Sequence, residues 1–250
     1  MTDAQRYRNE FARRSFLEIA DYDYIAARLL FKNHCYEQSM ITAQQSIEKY
    51  LKAILLFQAV KPKDLKKYNH NLEAILDNSS AIESLEITVD TLNFIKALNG
   101  VEGLRYLTDS YFLRGNFLKS LDKAVFELRV YCSFGSKPFV PWHEIKDVIT
   151  KYQNGRLVFG GELEKVIKAD DSSTHFSAQE RFKLKKILFW KNSILTGKIY
   201  TTNEMFRSKV APLDETGVLS SAGEPVDQSM YDAIHEYVRL PKSIRNRFNR

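Results

Sequence analysis

Apolar side chains recur at helical spacing over most of the first half of the chain. Between Phe11 and Phe31 they form one apolar face opposite a charged face, which predicts a first amphipathic helix. The same spacing predicts a second helix from Tyr36 to Gln58, and Pro62 would prevent it from continuing. Three shorter helices are predicted at 72–76, 87–98 and 117–131.

Short links between amphipathic helices favour antiparallel packing of neighbours. We therefore expect an all-α or mainly α protein whose residues 1–135 form an antiparallel, up-and-down helix bundle. After Pro141 the elements become shorter and are separated by glycines. This change predicts a smaller, basic and mostly helical region over residues 140–250, with one short strand pair that would include residues 157–159.

Two helices are predicted within the C-terminal region. Ser177 and Glu180 have the spacing of a capping box, which predicts a basic helix that runs to about Leu195 and stops at Gly197. Ser229 and Asp232 form a weaker version of that pattern. They predict a further helix that ends at Pro241.

Composition and charge are those of a globular protein with a basic second half. Hydrophobic residues make up 44% and charged residues 27% of the 250 residues, so global disorder is not expected. The net charge is +6, and the excess of Lys and Arg lies mainly after Phe134. The last twelve residues carry basic side chains and no acid, at Arg239, Lys242, Arg245, Arg247 and Arg250. Such a tail either contacts phosphates or stays solvated.

Neither the cysteines nor the histidines form a pattern that binds a metal. Cys35 and Cys132 are isolated from each other and from any His at zinc spacing, so we expect no disulfide, metal or cofactor. The N-terminus lacks the apolar core of a signal peptide, and no apolar run is long enough to cross a bilayer. We expect a cytoplasmic protein without a membrane partner.

The segment Ala43–Ala53 reads AQQSIEKYLKA and resembles the second-helix signature of HEPN domains. Ala26–Leu30 at the end of the first predicted helix, His70–Leu72 before the third, and Leu104–Tyr106 agree with that family in type and order. The first 130 residues are therefore similar to a HEPN domain.

This resemblance implies a bundle of four or five helices, frequent homodimerisation, and a groove that binds RNA or a nucleotide. It also implies a place in a prokaryotic defence or toxin–antitoxin system, with a minimal nucleotidyltransferase or an antitoxin as partner. Gln45, Glu48 and Lys52 would line the groove. The alternative for Glu48 and Lys52 is an ordinary stabilising pair one helical turn apart.

HEPN ribonucleases cut with an Arg that is followed, after four to six residues, by a His. Arg105 has no such His behind it, so the leading hypothesis is a binding protein that lacks the usual cleavage motif. Arg105 itself would hold a phosphate or pair with Asp109. The same spacing between Arg28 and His34 is interpreted as chance, because six residues turn a helix by about 240°.

Two other functions remain open. The first is a metal-independent endoribonuclease whose site is formed across a dimer from Arg105, Tyr111 and His70, although His70 could instead bond a backbone group at the start of the third helix. The second is a dimerisation module without a ligand.

The basic helix after Ser177 interleaves Phe182, Phe189 and Trp190 with lysines, a combination that suits single-stranded RNA. Lys183, Lys186 and Arg245 are therefore the candidate RNA contacts of the second half. The alternative is an amphipathic helix whose aromatic side chains pack on the bundle.

Overall fold

The computed structural model describes residues 3–77, 82, 85, 87–101, 116–132, 162–168, 176–200, 228–234 and 242–248. All the regular elements in these segments are helices, which confirms the prediction of a mainly α protein. The chain divides into two compact units. The first comprises Met1–Asn99 with Leu118–Tyr200, and the second comprises Gly100–Phe117 with Thr201–Arg250.

The first predicted helix is present and starts earlier than expected. Helix α1 spans Asp3–Ala12 and α2 spans Glu18–Lys32, and a π-helical turn at Arg13–Leu17 joins them without a break. Arg13 pairs with both Glu10 and Glu18, one on each side of this turn. A π-turn accommodates one extra residue and so shifts the phase of the apolar stripe.

Helix α3 spans Tyr36–Phe57 and packs antiparallel to α2, as predicted. The hydroxyl of Ser39 donates to the carbonyl of Ala27 at 2.8 Å, and that of Ser46 donates to the carbonyl of Ala20 at 2.9 Å. These side chains are buried, so each hydrogen bond satisfies a polar group inside the helix interface.

The next helices are α4 at Pro62–Leu65, a 3₁₀ turn at Lys66–Tyr68, α5 at Leu72–Asp77, α6 at Val89–Asn99 and α7 at Phe117–Cys132. Helices α5, α6 and α7 confirm the three shorter helices predicted from the sequence. Helix α7 runs antiparallel to α2, because Asp122 meets Tyr24 while Arg129 meets Asp21.

Three described helices follow in the same compact unit: α8 at Glu162–Lys168, α9 at Ala178–Phe189 and α10 at Ser193–Thr196. The predicted capping box is present, since Ser177 and Glu180 bond each other's backbone N–H groups. The left-handed Gly197 follows α10 with a φ of 67°.

The prediction that this basic helix runs on to Leu195 was wrong. Helix α9 ends at Phe189, Lys191 has a φ of 49°, and Asn192 starts α10 by accepting from the backbone of Ile194 and Leu195. The side chain of an Asn competes well for the first N–H groups of a helix, so a new helix begins there.

Helices α8 and α9 both pack on α2. Residues 162–168 and 176–200 therefore share a core with the N-terminal helices. The boundary predicted between residues 135 and 140 stays a prediction, because residues 133–161 lie outside the described segments, as does the candidate strand at 157–159.

The second unit contributes α11 at Gln228–Ile234 and α12 at Lys242–Phe248. The ring of Tyr231 stacks on that of Phe248 with centroids 5.0 Å apart. Helix α11 starts one residue before Ser229, close to the predicted start, whereas its predicted end at Pro241 falls outside the described residues.

Candidate functional site

The polar residues predicted on the second helix lead to a cluster of three side chains. The Lys52 ammonium donates to Glu48 Oε1 at 2.6 Å, and His70 Nδ1 lies 3.0 Å from Glu48 Oε2. The Glu48 side chain is 8% exposed, whereas that of His70 is 51% exposed. The structure therefore combines a buried carboxylate with a solvent-facing imidazole, and it confirms the predicted Glu48–Lys52 pair.

The turn that carries His70 has an unusual backbone. Asn69 adopts a φ of 45° and a ψ of −118°, which non-glycine residues rarely do. Lys52 stabilises this turn, because its ammonium also donates to the Asn69 carbonyl at 2.7 Å. Strained backbone that is held by its surroundings is frequent at functional sites.

The interpretation of His70 as a partner for the start of the next helix was wrong. Asn71 Oδ1 accepts from the N–H of Ala74, and Asn99 Oδ1 accepts from the N–H of Leu72, so other side chains cap α5. The His70 ring bonds the Glu48 carboxylate instead.

Of the other predicted site residues, Gln45 lies within the described part of the chain, whereas Arg105 and Tyr111 do not. Gln45 lies on α3 one turn before Glu48 and is half-buried. Arg105 and Tyr111 lie outside the described residues, so their predicted convergence with this cluster stays a prediction.

A second candidate surface lies on α9 and the turn that follows it. Phe182 is 54% exposed, and Lys186 Nζ is 4.4 Å from the centre of its ring. Lys183 is exposed beside it. The alternative that all these aromatic side chains pack on the bundle is wrong for Phe182. Leu188 is the apolar side chain that α9 buries.

Two more lysines contact the ring of Trp190, which follows directly after α9. Lys191 and Lys32 both place Nζ 5.6 Å from the Trp190 ring centre. Lys32 comes from the end of α2, and no local sequence pattern connected it with α9. We call Lys32, Phe182, Lys183, Lys186, Trp190 and Lys191 the lysine–aromatic surface.

A buried arginine holds this surface on the bundle. Arg28 is fully buried on α2, pairs with Asp122, and donates to the carbonyls of Ile187 and Trp190. Asn192 donates to the hydroxyl of Tyr24 at 3.1 Å. Because Arg28 is enclosed in this way, it cannot serve as half of an Arg–His cleavage motif. His34 lies apart from it, 2.6 Å from the Tyr36 hydroxyl.

A second buried cluster anchors α8. Arg129 makes paired hydrogen bonds to Asp21 and to Glu164, and Asp21 also accepts from the Tyr50 hydroxyl and the Leu163 N–H. Burial raises the pKa of Asp21 to about 6, because desolvation and the nearby Glu164 outweigh the opposing charge of Arg129. The cluster thus joins two acids to one arginine in the core.

Arg245 was predicted as an RNA contact, and neither a metal site nor a membrane-spanning helix was expected. Arg245 is exposed on α12, in the second unit. Within the described segments, no group of His, Cys, Asp or Glu has the arrangement of a metal site. None of the described helices is long and apolar enough to cross a membrane.

Comparison with known proteins identifies the N-terminal half. The family model of the HEPN domain matches residues 14–124. Over these residues the chain is similar to a HEPN domain. No curated protein and no solved structure gives a significant match. The HEPN match runs from the turn before α2 to the first part of α7, so it includes Glu48, Lys52 and His70 but not α9.

Proposed function

We propose that this protein is an RNA-binding HEPN protein of a prokaryotic defence or toxin–antitoxin system, and that single-stranded RNA binds on the lysine–aromatic surface. The observation that carries the proposal is the exposed ring of Phe182 with the ammonium of Lys186 over it, on a helix where Lys183 is also exposed. An exposed aromatic ring offers a base a face on which to stack.

The charges of the surface complement those of a nucleic-acid backbone. Lys186 lies over the ring of Phe182, and Lys32 and Lys191 lie by the ring of Trp190, so each ring would stack a base beside a lysine that neutralises a phosphate. Stacking on one aromatic side chain typically contributes about 1–3 kcal/mol per base. Arg28 and Asn192 stabilise the end of α9, which reduces the entropy lost on binding.

The test is fluorescence anisotropy with a labelled single-stranded RNA at several salt concentrations. Phe182→Ala should weaken binding by about 5- to 150-fold, equal to the loss of one stacked base. Lys183→Glu with Lys186→Glu should lower the slope of log affinity against log salt by about 1.4, since each phosphate contact contributes about 0.7.

The matched control reverses two exposed lysines elsewhere, Lys61→Glu with Lys63→Glu. This control changes the net charge equally and should leave most of the affinity. Equal loss in both double variants would show binding to net charge alone and would contradict the proposal. Binding that a free nucleotide competes away at equal concentration would favour a nucleotide as ligand. If neither RNA nor a nucleotide binds at physiological salt, the proposal fails and a dimerisation module without a ligand is the hypothesis that stands.

The similarity of residues 14–124 to a HEPN domain supports a proposal about partners. We propose a homodimer that acts with a nucleotidyltransferase or an antitoxin. Light scattering on the purified chain tests the dimer, and co-expression with the product of the neighbouring gene tests the second partner.

A second function, endoribonuclease, is favoured by one observation, the exposed imidazole that a buried carboxylate holds. As a proposal, Arg105 and Tyr111 would complete that site across the dimer. The alanine variant of Arg105 should then lose cleavage while keeping its fold.

A further inference from the structure

Four exposed lysines lie in the short segment that joins α3 to α5. They are Lys61, Lys63, Lys66 and Lys67, and we call them the lysine turn. Within the described part of the chain none of them pairs with an acid, although Asp64 lies among them. Lysines on α3 and α7, by contrast, pair with acids of neighbouring helices. Four like charges in so short a segment repel one another, and an anionic ligand would relieve that repulsion.

The fold holds this segment against the bundle. Leu65 and Tyr68 are each 4% exposed, so they anchor the segment in the core. At its end the Lys52 ammonium donates to the Asn69 carbonyl at 2.7 Å. The lysines are therefore carried by an ordered backbone, which reduces the entropy that is lost when a ligand binds.

Three of the lysines share one side of the segment. Helix α4 and the 3₁₀ turn follow each other directly over residues 62–68. At about 100° per residue, Lys63, Lys66 and Lys67 lie within about 100° of one another. The buried Leu65 and Tyr68 lie on the opposite side. The segment extends over about 12 Å, at about 1.5–2 Å per residue, so it forms a compact basic face.

The lysine turn matches an acidic protein segment better than it matches a nucleic acid. Tyr68 is the one aromatic side chain of the segment, and it is buried with the Lys67 ammonium 4.9 Å from its ring centre, so no base can stack there. A protein that holds a duplex through its phosphates often makes about six to ten contacts, more than four lysines supply. Acids three and four residues apart on a helix, however, present their carboxylates on one face at the spacing of these lysines.

We propose that the lysine turn is the docking site for an acidic segment of a partner protein, with Asp or Glu repeated at helical spacing. The inference goes beyond the proposed function, because it assigns a second surface that shares no residue with the lysine–aromatic surface. Attraction between exposed charges brings the two proteins together and fixes their register, and it weakens as salt screens the charges.

The experiment uses the full chain and a fluorescein-labelled peptide whose Glu residues lie three and four positions apart. Fluorescence anisotropy is measured at low ionic strength, where exposed charges are least screened. The Glu peptide should bind, and the same peptide with Gln in place of every Glu should not. Lys63→Glu with Lys66→Glu should weaken binding of the Glu peptide by at least about tenfold, since each change replaces an attraction by a repulsion.

The matched control is Lys119→Glu with Lys198→Glu, which reverses two exposed lysines of the same compact unit. It changes the net charge equally and should leave the affinity for the Glu peptide within about twofold of wild type. Lys63→Gln with Lys66→Gln serves as a second variant. It should cause a smaller loss than the charge reversal, because it removes attraction without adding repulsion.

Chemical cross-linking locates the bound peptide. A carbodiimide joins a peptide carboxylate to a lysine amine as an amide with loss of water, and mass spectrometry of the digested product identifies the lysine. Cross-links should fall on the lysine turn. Cross-links that form equally at Lys119 and Lys198 would overturn the proposal.

The binding measurements can also contradict the proposal. It fails if the Glu peptide does not bind at low ionic strength, or if both charge reversals weaken binding equally, which would show attraction to net charge alone. It fails too if Lys63→Glu with Lys66→Glu lowers the affinity for single- or double-stranded RNA as much as that for the peptide, because the turn would then be a nucleic-acid contact. RNA binding at Phe182 is tested by its own variant, so either proposal can fail while the other stands.

Discussion

Replacing Arg129 by Met should strongly destabilise the first compact unit. The change removes the one arginine that Asp21 and Glu164 share in the core, yet leaves a side chain of similar length. Removing one partner of a buried ion pair typically costs about 3–5 kcal/mol, because the remaining charge stays buried without compensation. Here two carboxylates would remain. At pH 7.5 we therefore expect the free energy of unfolding to fall by about 3–5 kcal/mol.

The size of this loss should depend on pH. Burial already raises the pKa of Asp21 to about 6 with Arg129 present. Without the arginine the folded variant must keep Asp21 protonated, and this costs less at low pH. The loss should therefore be clearly smaller at pH 5 than at pH 7.5.

Urea unfolding followed by far-ultraviolet circular dichroism at both pH values measures the change. The control is Arg14→Met, which removes an exposed arginine paired with Glu10 on the surface and should cost less than about 1 kcal/mol. If Arg129→Met lowers the free energy of unfolding by less than about 1 kcal/mol at pH 7.5, or by the same amount at both pH values, the reasoning is refuted. Removal of the arginine would then leave no uncompensated buried charge.

Two further predictions concern stability. Between pH 4.5 and 7 the wild-type protein should lose stability as pH rises. The folded-state pKa of Asp21, about 6, lies above its ordinary 3.8, so the folded state binds more protons than the unfolded state in this range. A urea midpoint that rises steadily over this range would contradict it. Asn192→Ala removes the cap of α10 and the bond to Tyr24, and should cost about 1–3 kcal/mol; an unchanged thermal midpoint would show that the end of α9 does not depend on Asn192.

The sequence alone determined most helices of the first 132 residues and the similarity of that part to HEPN domains. Apolar periodicity and helix-ending residues are local signals, so they predicted α3, α5, α6 and α7 to within a few residues, and the end of α2, whereas the start of the first helix was misplaced. The capping box at Ser177 is equally local and was confirmed. The segment Ala43–Ala53 pointed to the HEPN family, and the match over residues 14–124 agrees with it.

The tertiary structure decided which polar residues lie together. Arg129 meets Glu164, and Arg28 meets the carbonyl of Trp190, across more than thirty positions of sequence, and no periodicity relates them. Lys32 joined the lysine–aromatic surface in the same way, from a helix far from α9 in the chain. His70 met Glu48 because a turn with a rare backbone conformation brings it back to α3. Helical pattern is a property of neighbouring residues, whereas a site depends on packing between distant ones, and only the folded chain specifies that packing.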